Sequence, residues 1–187
     1  METNHFRIIA VIGAIILIPT VSLAAQVQPC PAGTASNITS QAAFDGLKQM
    51  RYEAMSVSDH ALKLQDLATD QASTGIDKEP LADQLTQIRH EVNQMGRQLC
   101  RLQTLGNEAA PWERSAVHQL PRLVQAMAGN TDFAMQFVNA HQNGFWMPSF
   151  TSRVSKLNRE AKAVAHDIRN DERIADGYHR ATPLENR

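Results

Sequence analysis

Residues 81–102 read LADQLTQIRHEVNQMGRQLCRL, and the apolar members Leu81, Leu85, Ile88, Val92, Met95, Leu99 and Leu102 fall at alternating spacings of four and three. At 3.6 residues per turn this rhythm lays all seven along one stripe of a helix, and such a stripe must be covered by other helices. The same rhythm recurs three times. It runs through Ala43, Leu47, Met50, Ala54, Val57, Ala61, Leu64 and Ala68, then through Ala116, Leu120, Leu123, Met127, Asn130, Ala134, Phe137 and His141. A last stripe holds Phe150, Val154, Leu157, Ala161, Val164, Ile168, Asp171 and Ala175. Strand signals are almost absent after Ser40, and aromatic residues make up only 5% of the chain.

The breaks between stripes agree with this reading. Thr39 or Ser40 can cap the first helix, and Ser73-Thr74-Gly75-Ile76-Asp77 separates it from a second helix that restarts at Pro80. Gly106-Asn107 ends the second, Pro111 opens the third, and Asn143-Gly144 with Pro148 divides the third from the fourth. Connections this short favour antiparallel neighbours. The expected fold is therefore all-α, an up-down-up-down antiparallel four-helix bundle over residues 40–176, with helices of about thirty residues and about 45 Å. The same stripes would also serve two helical hairpins paired as a homodimer. Pro121 inside the third helix, with Gly129-Asn130-Thr131 following, predicts a kink on its outer side, either an opening into the bundle or simple curvature.

Ahead of the helices, one Arg at position 7 precedes an apolar run over residues 8–18, which closes on Pro19 and then on Val21-Ser22-Leu23-Ala24-Ala25. This pattern predicts a cleaved signal peptide over residues 1–25, and hence a periplasmic or secreted chain with no membrane association after cleavage. The run is short of the ~20 residues that a spanning helix needs. Cys30 stands too far from the cleavage point to be a lipid anchor. Residues 26–39, rich in Gln, Pro, Gly, Ser and Thr, read as a strap, and residues 177–187 as a polar tail.

The charge is balanced, 18 basic against 19 acidic residues, with the two signs interleaved. That excludes a nucleic-acid binder, which needs a basic face. Cys30 and Cys100 are the two cysteines. In an exported chain they are expected to pair, because an antiparallel second helix ends near where the first begins. The bridge would close a loop of about 70 residues and contribute roughly 4 kcal/mol in the chain-entropy picture.

The bundle stretch of the sequence carries none of the patterns of known bundle chemistry. Covalent haem attachment needs Cys-x-x-Cys-His, which does not occur. Within residues 40–176 no Glu-x-x-His run exists to hold two metals between helices. His90, His118 and His166 fall opposite the stripes, His60 falls on a flank, and only His141 lies on a stripe, where a partly buried, hydrogen-bonded role near the loop is expected over ligation. The on-stripe Met50, Met95 and Met127 read as core fillers. No nucleophile with an accompanying base is identifiable, so neither catalytic residues nor a cofactor or metal are expected.

One cluster stands apart. Phe145, Trp146 and Met147, with Phe133, Phe137 and Phe150, gather at the turn between the third and fourth helices. They form either a plug for the bundle end or, with His141, a ligand or partner surface.

The set Arg89-His90, Leu99-Cys100-Arg101-Leu102, Trp112-Glu113, Pro121-Arg122-Leu123, Asn130-Thr131, His141 and Pro148 resembles a group of uncharacterised exported bacterial proteins over roughly residues 60–175. The resemblance implies export and a bacterial source, and carries no functional residue with it. The expected function is a non-catalytic, partner-binding or structural role outside the cytoplasm, the partner being another exported protein or a second copy. The alternative is a carrier of haem, metal or a small apolar ligand between the helices.

Overall fold

A computed structural model describes residues 40–74, 78–104 and 110–181. The apolar run at 8–18, the strap with Cys30, and the breaks at 75–77 and 106–107 lie outside the described residues. Four helices account for nearly all of what is described: α1 (Ser40–Thr74), α2 (Glu79–Gln103), α3 (Pro111–Ala140) and α4 (Pro148–Ala181). There is no strand among the described residues. α4 continues to Ala181, so the helix takes in the first residues of the stretch read as a polar tail.

Each helix packs on its neighbours in sequence, and α4 closes the ring against α1. Cross-helix contacts fix the directions. Going up α1 from Ser56 to His60 goes down α2 from Glu91 to Gln84, and Arg51 meets Glu172 while Gln65 meets Ser155. The chain is thus an antiparallel four-helix bundle, and the stripes of all four helices are covered within a single chain.

The stripes of α1, α2 and α4 are buried at every position read from the spacing, Asp171 included. Each fully buried Leu, Ile, Val, Met or Phe contributes roughly 1.5–3 kcal/mol over leaving it in water, and Leu47, Met50, Leu64, Leu85, Ile88, Met95 and Leu157 are in this class. These methionines sit in the core. Met55 and Met147 stand out on the surface instead.

α3 departs from expectation in three ways. Val124 is buried where Leu123 was expected, with Leu123 only packed against the core's edge. The buried positions 112, 116, 120 and 124 run at spacings of four, which rotates the stripe relative to a 4-3 repeat. Pro121 is half-buried inside an unbroken helix. Gly129-Asn130-Thr131 does not open the bundle either: Asn130 and Thr131 are buried, and Thr131 Oγ1 donates to Met127 O at 2.8 Å. The third departure is His141. It caps α3 in extended backbone, at φ −120° and ψ 142°, and is exposed. The helical count that placed it on the stripe stops one residue earlier.

Candidate functional site

The turn from α3 to α4 is built from the residues outward. Gly144 has φ +87°, a left-handed conformation open to glycine at no steric cost, and a Cβ there would meet Met147 Cε at 3.3 Å. Met147 N donates to Gly144 O, and Phe150 N to Met147 O, each at 3.0 Å, which carries the chain directly into α4. This tight path sends neighbouring side chains in opposite directions.

Phe145 turns inward and is fully buried. Its ring meets Phe137 edge-on at 6.2 Å and Phe150 at 5.8 Å, while Phe137 and Phe150 are 5.4 Å apart. Offset and edge-to-face rings at these separations are favourable beyond the area they bury. Trp146 and Met147 turn outward, each 46% exposed. His141 lies over Phe137, with ring centroids 4.1 Å apart, and its Nδ1 is 2.9 Å from Phe137 O. A carbonyl oxygen accepts only, so Nδ1 is the protonated nitrogen, and Nε2 is left to solvent. The four residues read as one candidate surface are therefore divided: Phe145 belongs to the buried plug, His141 stacks on Phe137 from outside, and Trp146 and Met147 form the exposed part. His141 does not face the bundle interior, which corrects its expected partly buried, on-stripe position.

From His141 to Ser152 the chain carries no Lys, Arg, Asp or Glu. The exposed indole and thioether are thus set in an uncharged rim of Gln142, Asn143, Pro148 and Ser149. Behind them, Arg153 lies 4.8 Å over the Phe133 ring and donates to Asn130 Oδ1 at 3.3 Å.

The other expected positions are placed as follows. Cys100 is half-buried on α2, and its expected partner Cys30 lies outside the described residues. His90, His118 and His166 are exposed. His60 is half-buried, with Nδ1 2.7 Å from Gln84 Oε1 and Nε2 3.6 Å from Glu91 Oε1. No three His, Cys, Asp or Glu side chains among the described residues are placed to hold a metal ion. Among the same residues no helix is long and apolar enough to cross a membrane.

Reading the sequence missed a polar seam between α1 and α2. Gln49, Glu53, Ser56 and His60 form a row on the α2 side of α1, beside the apolar stripe. Glu53 is 5% exposed. Burial pushes its carboxyl above the ordinary glutamate value, and the nearby Glu91 charge adds to this; the Gln49 hydrogen bond, Arg97 and His90 oppose it without prevailing. The spacing of this row, four, three and four, is itself helical, so a search for polar as well as apolar stripes would have found it.

Comparison with protein-family models, with curated proteins and with solved structures gives no match to this chain.

Proposed function

We propose that this chain is an exported, non-catalytic bundle that works by docking onto another protein at the α3–α4 turn, where Trp146 and Met147 enter an uncharged apolar pocket of the partner. The observation that carries the reading is the exposure of these two side chains on a turn held rigid by Gly144, Phe145 and Phe150. Trp and Met are enriched where interfaces concentrate their binding energy, and the core of such an interface is depleted of charge, as this turn is. A rigid mount lowers the ordering cost of association.

Export rests on the N-terminal pattern at residues 1–25, and the strap follows from it. The Cys30–Cys100 bridge is supported by the register of α2: Gln98 Oε1 lies 3.6 Å from where a Cβ on Gly46 would be, so Cys100 sits level with the start of α1. The bridge then pins the strap across the end of the bundle remote from Trp146. Thiol titration of the purified mature chain under denaturing, non-reducing conditions is expected to find no free thiol, and two thiols after reduction.

The docking reading is tested with a photo-crosslinking amino acid at position 146 in the native host. A specific adduct to one other protein, with none from the same group at the exposed Leu62 on the outer face of α1, is the expected result. Adducts of one chain with itself would transfer the surface to a homodimer. Equal, unspecific labelling from both positions would overturn the reading.

A further inference from the structure

The seam between α1 and α2 is short of hydrogen-bond donors. Gln49 Nε2 donates to Glu53 Oε1 at 3.1 Å, and Ser56 Oγ donates to Glu91 Oε1 at 2.5 Å. Each carboxylate keeps its second oxygen, Glu53 Oε2 and Glu91 Oε2, buried and with no hydrogen-bond partner among the described residues. His60 does not supply the missing donor. Its Nδ1 points at the Gln84 oxygen, so in the neutral ring the nitrogen facing Glu91 carries a lone pair.

A buried carboxylate oxygen without a donor is costly, and a like charge in the same seam raises the cost. A proton on Glu53 removes the buried charge and the like-charge repulsion together, since the neutral carboxyl is far cheaper to bury than the anion. We propose that the α1–α2 seam is a proton-binding site, in which Glu53 takes up one proton in the same seam as the Glu91 charge, and α1 is fastened to α2 while it is bound. Loss of that proton leaves two carboxylates in the seam, each with one buried orphan oxygen, and the seam loosens.

The surrounding charges are few. On α1 itself the titratable neighbour is His60; from α2, Glu91, His90 and Arg97 face Glu53. α4, on the other flank of α1, turns Glu172 toward the seam's far side, where Arg51 holds it at 3.1 Å. The sign follows. A carboxyl raised above its unfolded value gives stability that is complete below the ordinary glutamate value of 4.5 and is lost as pH rises through the folded value. This site and the docking turn share no residue, so neither proposal rests on the other.

The test is a carbon-detected NMR titration of side-chain carboxyls on the full mature chain, in wild type, Glu91→Gln and Glu53→Gln. The expected result is that one carboxyl of the pair titrates above the ordinary glutamate range in wild type, and that Glu91→Gln returns Glu53 toward that range. Two ordinary midpoints in wild type would overturn the proposal without any variant being needed. A Glu53 midpoint unmoved in Glu91→Gln would also overturn it, by showing burial alone at work and no part for the Glu91 charge. Amide hydrogen exchange, corrected for intrinsic rates and compared at about pH 5 and about pH 8, gives the second readout. Protection in the facing turns of α1 and α2 is expected to fall with pH in wild type and to hold steady in Glu53→Gln; an equal fall in both would count against the site.

Discussion

The α3–α4 seam half-buries Glu160 and the α1–α2 seam buries Glu53, and the two carboxyls are treated differently. Glu160 Oε2 accepts a hydrogen bond from Asn130 Nδ2 at 2.7 Å. Asn130 in turn accepts from Arg153, which rests on the Phe133 ring, and Lys156, Arg159 and Arg153 all draw the Glu160 charge downward in energy. Glu53 has the Gln49 amide and Arg97, set against the Glu91 charge. Burial raises both carboxyls above the ordinary value. The difference lies in the supply of donors: a satisfied buried network fixes the register of two helices, and a half-satisfied one responds to protons.

Breaking the satisfied seam should have the largest effect. Asn130→Leu removes the donor to Glu160 and the acceptor for Arg153 while keeping the apolar volume, and is expected to destabilise the bundle by about 2–3 kcal/mol near pH 7. Chemical denaturation measures this. A change of under about 0.5 kcal/mol would mean that Glu160 reaches water without Asn130, and the contrast between the seams would collapse.

The lower end of the α3–α4 seam sharpens the comparison, because it is poor in donors too. Asp171 is buried on its stripe, with Ser115 as a hydrogen-bond partner. Burial, aided by the Asp167 charge, pushes its carboxyl up to about 6 from an ordinary 3.8, against the Ser115 hydrogen bond. Its contribution to stability is therefore complete below the ordinary value and is lost as pH rises through about 6. Asp171→Asn should gain on wild type across that window by on the order of 1–2 kcal/mol, read from melting curves at a series of pH values. A gap between the two proteins that stays constant with pH would place the proton elsewhere.

Glu53→Met carries the opposite sign from Asn130→Leu. Removing an acid that lacks donors, in favour of a flexible apolar chain of similar length, should raise stability by about 1 kcal/mol at about pH 8, and by less at about pH 5. A loss at both values would mean that Glu53 holds the helices together as an anion.

Of these features the apolar architecture was legible and the polar one was not, for a definite reason. Leu81 through Leu102 announce their burial because helical spacing alone decides it, and the stripes of α1 and α4 do the same. Val124 displaced Leu123 because three successive steps of four shift the buried face, which a strict alternation of four and three cannot anticipate. His141 was misplaced because a periodicity says nothing about where a helix ends. Phe145 and Trp146 are adjacent in sequence and opposite in fate, and the left-handed turn at Gly144 made that choice. Glu53 and Glu91 escaped because their meaning depends on partners 35 to 40 positions apart, brought together only by the register of two helices. Periodicity places His60 on a flank and says nothing of Gln84 and Glu91, which it faces.

The smallest expected change in stability belongs to the turn. Trp146 is about half exposed and lies outside the Phe137, Phe145 and Phe150 plug, so Trp146→Ala should alter stability by no more than about 0.5 kcal/mol. In the docking reading the same substitution removes the anchor of the interface, so capture of the partner by the purified protein should fall at least tenfold. The comparison of seams adds a condition. The turn joins α3 to α4 at the well-supplied end, next to Arg153 and Phe133, and α1–α2 lies across the bundle from it. Capture should therefore be equal at about pH 5 and about pH 8, while protection of the α1–α2 turns differs between them. Were capture to follow pH in wild type and lose that dependence in Glu53→Gln, the two seams would be coupled through the core, and the proton at Glu53 would govern docking at Trp146.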